Sequence, residues 1–301
     1  LPRIYYLSPN NPKPMKRRIF FTTAALGTAG LTSAKARTTP SAPNTKFDLK
    51  HNINHSVCRW CFNDIPWESF LATLNDIGIK ALDLTGPEDW PLMKKYNIHA
   101  SMCWGAEINL TDGWNDPQFH PTLIKNYTEM IPKVADAGYT NLICFSGNRR
   151  GIDDYVGLQN CVDGLSQVLP LAEKHGVVLQ MELFNQINHP DYMCDSTLWG
   201  VELCRRLDTE NFKLLYDIYH MQIQEGDIIR TIQEYHPYFG HYHTAGVPGR
   251  HEIDESQELY YPAIMKAILD TGFKGYVAQE FIVTWENKID ALKDAFKRCD
   301  V

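Results

Sequence analysis

The chain has 301 residues, of which 44% are apolar, 22% charged and 12% aromatic. That is the balance of an ordinary globular protein with length enough for one sizeable core. No run reaches the roughly 18 apolar residues of a membrane span. Residues 1–36 hold six of the 29 basic residues and none of the 36 acidic ones, so the remainder carries a net charge of −13. Such a body repels nucleic acid and anionic lipid and argues against a nucleic-acid partner.

Residues 1–45 carry no acid and are rich in Pro, Thr, Ala and Ser, and they read as an address followed by a linker. Within them "MKRRIFFTTAALGTAGLTSAKA" (Met15 to Ala36) has a basic start, an uncharged stretch and small residues suited to cleavage. It resembles a twin-arginine export signal, with Arg17 and Arg18 ahead of Ile19, Phe20 and Phe21. The expectation is export to the periplasm, with residues 1–14, ahead of the first methionine, as upstream sequence. An exported protein with eight cysteines invites disulfides, but several lie inside apolar runs, where a small buried hydrophobe is favoured. "CRWC" (Cys58 to Cys61) has no second CxxC to complete a zinc or redox site.

Residues 46–301 alternate short β-rich runs with longer helical patterns, which is the sign of βα units and a parallel sheet. In chain order the strands are expected at 54–58, 80–85, 98–104, 141–147, 177–184, 213–220, 239–245 and 275–282. Helices lie between them, such as "HPTLIKNYTEMIPKVADAG" and "LQNCVDGLSQVLPLAEKHG". Several end at a glycine, Gly78, Gly138, Gly176 or Gly272, where a left-handed cap precedes the next strand. Eight units in about 250 residues fit a single (β/α)8 TIM barrel. A doubly wound sheet would more naturally carry a Gly-rich turn after its first strand, and "CRWCFND" is not one.

A barrel builds its active site at the C-terminal strand ends. There the fifth strand brings Glu182, the sixth Asp217 and His220, the seventh His241 and His243, and the eighth Glu280. One carboxylate in an apolar strand can be a core ion pair, but four successive strands each delivering acid or imidazole point to a shared site. Three carboxylates and one histidine suit one divalent ion, Mn, Mg, Co or Zn. His241 and His243 share a face, and His243 is nearer the strand end and the better ligand. His220 lies past the strand, where it addresses a substrate. Arg149 and Arg150 in "SGNRRG" offer cations, and Trp104 ends the third strand as a pocket wall or a loop support.

The stretches "LLYDIYHMQIQEGD", "GHYHTAGVPGRHEIDE", "YPAIM" and "GYVAQEF" resemble the hydroxypyruvate isomerase family of the xylose-isomerase-like barrels, which also hold ketose 3-epimerases and endonuclease IV. The resemblance runs from about His55 to Val301. It implies metal ligands at Glu182, Asp217, His243 and Glu280, with Glu182 and Glu280 also the proton-transfer pair, and substrate contacts at His220 and Arg250. His243 stands where some members carry glutamine. The implied reaction converts a 2-keto compound to its 2-hydroxyaldehyde through an enediolate, as in hydroxypyruvate to tartronate semialdehyde, with Arg250 facing the substrate carboxylate. A larger keto-sugar is the alternative substrate for the same groups. A non-catalytic sugar-acid binding protein is a further reading, and an endonuclease-type zinc cluster lacks its extra histidines and aspartates. Barrels of this type often form homo-oligomers, and no motif fixes one here.

Overall fold

The computed structural model describes residues 47–301; the export segment falls outside the described residues. Eight parallel strands run β1 (Asn54–Val57), β2 (Ala81–Leu82), β3 (His99–Ala100), β4 (Asn141–Cys144), β5 (Val178–Glu182), β6 (Phe212–Asp217), β7 (Phe239–Thr244) and β8 (Tyr276–Gln279). Six pair in the order β1-β8-β7-β6-β5-β4, and β2 pairs with β3. The bridges Cys58–Asp83 and Cys103–Leu142 join the two groups into a ring. Helices alternate with the strands on the outside, so each strand is covered on both faces and reads as a nearly continuous apolar run. No helix among the described residues is long and apolar enough to cross a membrane.

Inside the ring Met102, Ile143 and Leu215 pack as an apolar plug. Residues two apart on a strand share a face, so Asp217 stands directly above Leu215. The register pairs Asp217 with His243 across β6 and β7. The amide of Glu280 donates to the Thr244 carbonyl at 2.9 Å, which carries the eighth position to the same level. The plug therefore forms the floor under a polar layer at the C-terminal end of the barrel.

The structure departs from the expected elements in three places. β2 and β3 keep only two residues each, and Leu84 has φ +54°, a left-handed turn that breaks pairing just after Asp83. The helix expected over "LQNCVDGLSQVLPLAEKHG" is two helices, Asp154–Leu165 and Leu169–His175. Pro170 has no N–H to continue the first, and it opens the second. The sixth strand stops at Asp217, and His220 belongs to a helix, Ile218–Gln224. The Gly176 cap is left-handed as expected, with φ +65°.

All eight cysteines are free and buried. They behave as small core side chains, and Cys61 lies in a single 3-10 turn, Arg59–Phe62.

Candidate active site

Four side chains on the polar layer converge. Glu182 closes β5, Asp217 closes β6, His243 is the fifth residue of β7, and Glu280 follows β8 directly. One ligand atom from each lies within 4.8 Å of all the others. His243 Nδ1 is 2.8 Å from Glu280 Oε2, 3.3 Å from Glu182 Oε1 and 4.0 Å from Asp217 Oδ2. All four are buried, yet Glu182 Oε1 and His243 Nδ1 have no hydrogen-bond partner of good geometry. Orphaned buried donors and acceptors are rare and ask for a reason. Oxygen and imidazole donors around one point fit a divalent ion.

The charges in this cluster are driven apart. Burial raises Glu182 to about 7 against the pull of His243. Burial also raises Asp217 to about 6 despite Arg250. Burial acts on Glu280 in the same sense, but His243 and Arg250 overcome it and hold its carboxylate well below the usual range. For His243 burial is again outweighed, chiefly by Glu280, and the imidazole is held protonated well above its ordinary value. An incoming ion must therefore displace protons from Glu182, Asp217 and His243. The sign follows: ion affinity rises as pH climbs through about 6 to 7 and falls below it. Calorimetric titration with Mn2+ at pH 5.5, 6.5 and 7.5 checks this, and an affinity flat over that window would contradict it.

Arg250 leans over the cluster from the loop after β7. Its Nη2 lies 2.5 Å from Glu280 Oε2 and 3.5 Å from Asp217 Oδ2. The guanidinium is sandwiched 5.4 Å from the ring centres of Trp60 and Tyr219. Trp60 Nε1 donates to Glu280 Oε1 at 2.8 Å. Above these groups opens a cavity of 460 Å3 that Glu182, Glu280, Arg250, His189, Trp60 and Trp104 help to line. Trp104 is 44% exposed, so it is a wall of the pocket rather than a loop support.

Two expected substrate contacts, His220 and Arg149, are not among the pocket-lining residues, although His220 Nε2 lies 3.7 Å from Asp217 Oδ2 with no hydrogen-bond partner. His220 is wholly buried, because the chain turns into a helix after Asp217, whose Oδ1 accepts from the His220 amide at 3.1 Å and caps it. Asn185 Nδ2 lies 2.7 Å from His220 Nδ1, and the ring packs against Phe184 and His189. Burial, then Arg250, keeps it neutral. His220 supports the pocket while His189 reaches it. Arg149 faces away: it pairs with Asp154 at 2.6 Å and Asp195 at 3.1 Å, and donates to the carbonyls of Tyr192 and Met193. It ties the loop after β4 to the loop after β5. Arg150 is bound to Asp112.

Asp83, Trp60 and His189 are site residues outside the sequence expectation. Asp83, at the end of β2, is fully buried. It lies 2.6 Å from His243 Nε2 and 3.2 Å from His241 Nε2, and it accepts from Ser101 Oγ at 2.7 Å. With Nε2 facing Asp83, Nδ1 is the atom left to face the carboxylates. His241 thus takes a supporting place beside Asp83 and does not enter the four-residue cluster.

The model of the xylose isomerase-like TIM barrel family matches residues 90–299. The chain belongs to this family. Within it, the chain is 32% identical over 111 residues to a putative hydroxypyruvate isomerase of Homo sapiens, 37% of this chain and 40% of that one. It is 31% identical over 120 residues to a 2-oxo-tetronate isomerase of Cupriavidus necator, 40% of this chain and 46% of that one. The matched stretches thus span less than half the length of these relatives. Among solved barrels, an AP endonuclease, family 2, from Brucella melitensis superposes with a TM-score of 0.72 at 22% identity, covering 79% of this chain and 96% of that one. A D-psicose 3-epimerase from Clostridium cellulolyticum H10 gives 0.62 at 18% identity, covering 82% and 95%. At such identities these likenesses speak for the fold alone.

Proposed function

We propose that this barrel is a divalent-metal-dependent isomerase that moves a proton between adjacent carbons of a hydroxy-carbonyl compound, with Glu182 and Glu280 as the proton carriers. The observation that carries the reading is the pairing of these two glutamates around His243 Nδ1 at the floor of one pocket. Glu182, Asp217, His243 and Glu280 would hold the ion. Bound there, it supplies Lewis-acid stabilisation of the negative oxygens of an enediolate. The glutamates are the groups at hand to take a proton from carbon and return it to its neighbour. The apolar walls and the indoles keep water from that step. Relatives named as isomerases of hydroxypyruvate and of 2-oxo-tetronate support the reaction class.

The substrate class follows from Arg250. It is the guanidinium at the pocket, and a 2-keto acid such as hydroxypyruvate would bring the carboxylate to meet it. A second reading, a larger keto-sugar, is favoured by the size of the cavity, 460 Å3, which falls in the range of pockets for much larger ligands. The deciding experiment follows deuterium uptake from D2O at the carbon beside the carbonyl, with Mn2+ added, over keto-acids and ketoses. No uptake with any compound would sink the proposal. Arg250→Ala is expected to raise KM for hydroxypyruvate about 10- to 100-fold, the worth of a charge-assisted hydrogen bond. An equal loss on neutral ketoses would deny it the carboxylate.

We further propose that residues 1–45 direct export to the periplasm. The support is Arg17 and Arg18 ahead of an uncharged, small-residue stretch. Arg17→Lys with Arg18→Lys should leave the protein in the cytoplasm on cell fractionation, and unchanged export would refute the signal.

A further inference from the structure

A second chamber of 430 Å3 adjoins the pocket, and the two share Trp60, Leu84 and Trp104. Nothing in the proton-transfer chemistry uses it. Its own walls add Trp67, Asn63 and Glu88. Trp60 and Trp104, 39% and 44% exposed, therefore offer indole surface at the junction of two cavities, with a third indole beyond. Flat aromatic surface beside scattered polar groups suits a ring that is apolar on its face and hydroxylated at its edge.

The polar groups narrow the ligand further. Glu88 and Trp104 close over the buried Gly86, where a side chain would begin 2.6 Å from Glu88 Oε2 and 2.7 Å from Trp104 Nε1, so the missing side chain lets a carboxylate and an indole N–H come together on the wall. An acceptor and a donor thus stand side by side, as a hydroxyl needs. Asp89, also on the wall, accepts from the Gly86 amide at 3.1 Å. Arg59, the cation of this chamber, is spent within the fold. It donates to the carbonyls of Phe62 and Ile65 and lies over the rings of Trp67 and Phe70. Two carboxylates with no free cation disfavour a phosphate or a carboxylate there.

We infer that the chamber is a subsite for a second, neutral sugar ring, so that the substrate class includes glycosides whose keto-sugar end reaches Glu182 and Glu280. The inference rests on the proton-transfer reading for what happens at that end, but the subsite itself is a matter of binding.

The test uses the full chain with Mn2+ and two probes: D-fructose, and lactulose, in which the same ketose carries a second neutral ring. Calorimetry reads binding, and deuterium uptake reads exchange. Lactulose is expected to bind about tenfold more tightly than fructose and to exchange with about tenfold larger kcat/KM. Trp67→Ala and Glu88→Gln should each remove most of that gain and leave the fructose values within about twofold. Glu88 is exposed, so its variant keeps the test alive if Trp67→Ala fails to fold. Equal binding of the two sugars overturns the subsite even where fructose exchanges. Tighter binding of fructose 6-phosphate than of lactulose overturns its neutrality. Tighter lactulose binding without any exchange supports the subsite and removes ketoses from the proton-transfer reading instead.

Discussion

Glu182→Gln is expected to lower deuterium exchange and turnover by about 10²- to 10⁴-fold, the range lost with a positioned acid or base, while the fold persists. Burial already draws Glu182 up to about 7, so near neutrality a protonated carboxyl is a well-populated form in the ion-free protein. An amide of the same shape copies that form with little change in stability. Glu280→Gln should also abolish exchange, but at a different cost to the fold. Its carboxylate answers His243 Nδ1 at 2.8 Å and Arg250 Nη2 at 2.5 Å, and a neutral side chain leaves two buried cations short of a partner. A loss of about 3 kcal/mol is the scale for breaking such a pair. Thermal melts and exchange assays at saturating Mn2+ separate the two variants. Exchange within tenfold of the parent in Glu182→Gln would remove that residue from the proton path.

The barrel and the four-residue cluster were legible because they obey short-range rules. A carboxylate at the end of an apolar run stands out by its desolvation cost, and Glu182, Asp217 and Glu280 each do so at the end of their own run. Sequence could not show how long each strand pairs. The left-handed turn at Leu84 ends β2, and nothing in "KALDLT" announces it. The helical setting of His220 is hidden because the residues after Asp217 continue the apolar pattern of the strand while the chain has already turned into a capped helix. Arg149 reads as a loop cation, and only the carbonyls and acids of a loop more than forty residues away reveal that its donors are occupied. His189 sits on a loop and Trp60 in a single 3-10 turn, where no periodicity marks a side chain as facing the pocket.

Asp83 failed to register for the same reason that makes it the second large prediction. It is an acid in an apolar run like the others, but its partners His241 and His243 lie 158 and 160 residues away. Burial would raise this carboxyl, yet His241 and then His243 hold it far below the usual range. Asp83 thus stays ionised and fixes Nε2 of His243 as the protonated nitrogen, which leaves Nδ1 to the ion. Asp83→Asn keeps the shape, but its single carbonyl oxygen serves two imidazoles poorly and its charge is gone. Freed of that constraint, His243 can carry its proton on Nδ1 and block the ion. Mn2+ affinity is expected to fall about 10- to 100-fold, the effect of removing such an outer partner, with about 1–3 kcal/mol of stability lost to the imidazole left unsatisfied. Calorimetry reads the affinity, and the nitrogen chemical shifts of the His243 ring read the tautomer. A merely structural residue would lower the melting temperature without moving either. Parent-like Mn2+ affinity in a folded Asp83→Asn would overturn this positioning role.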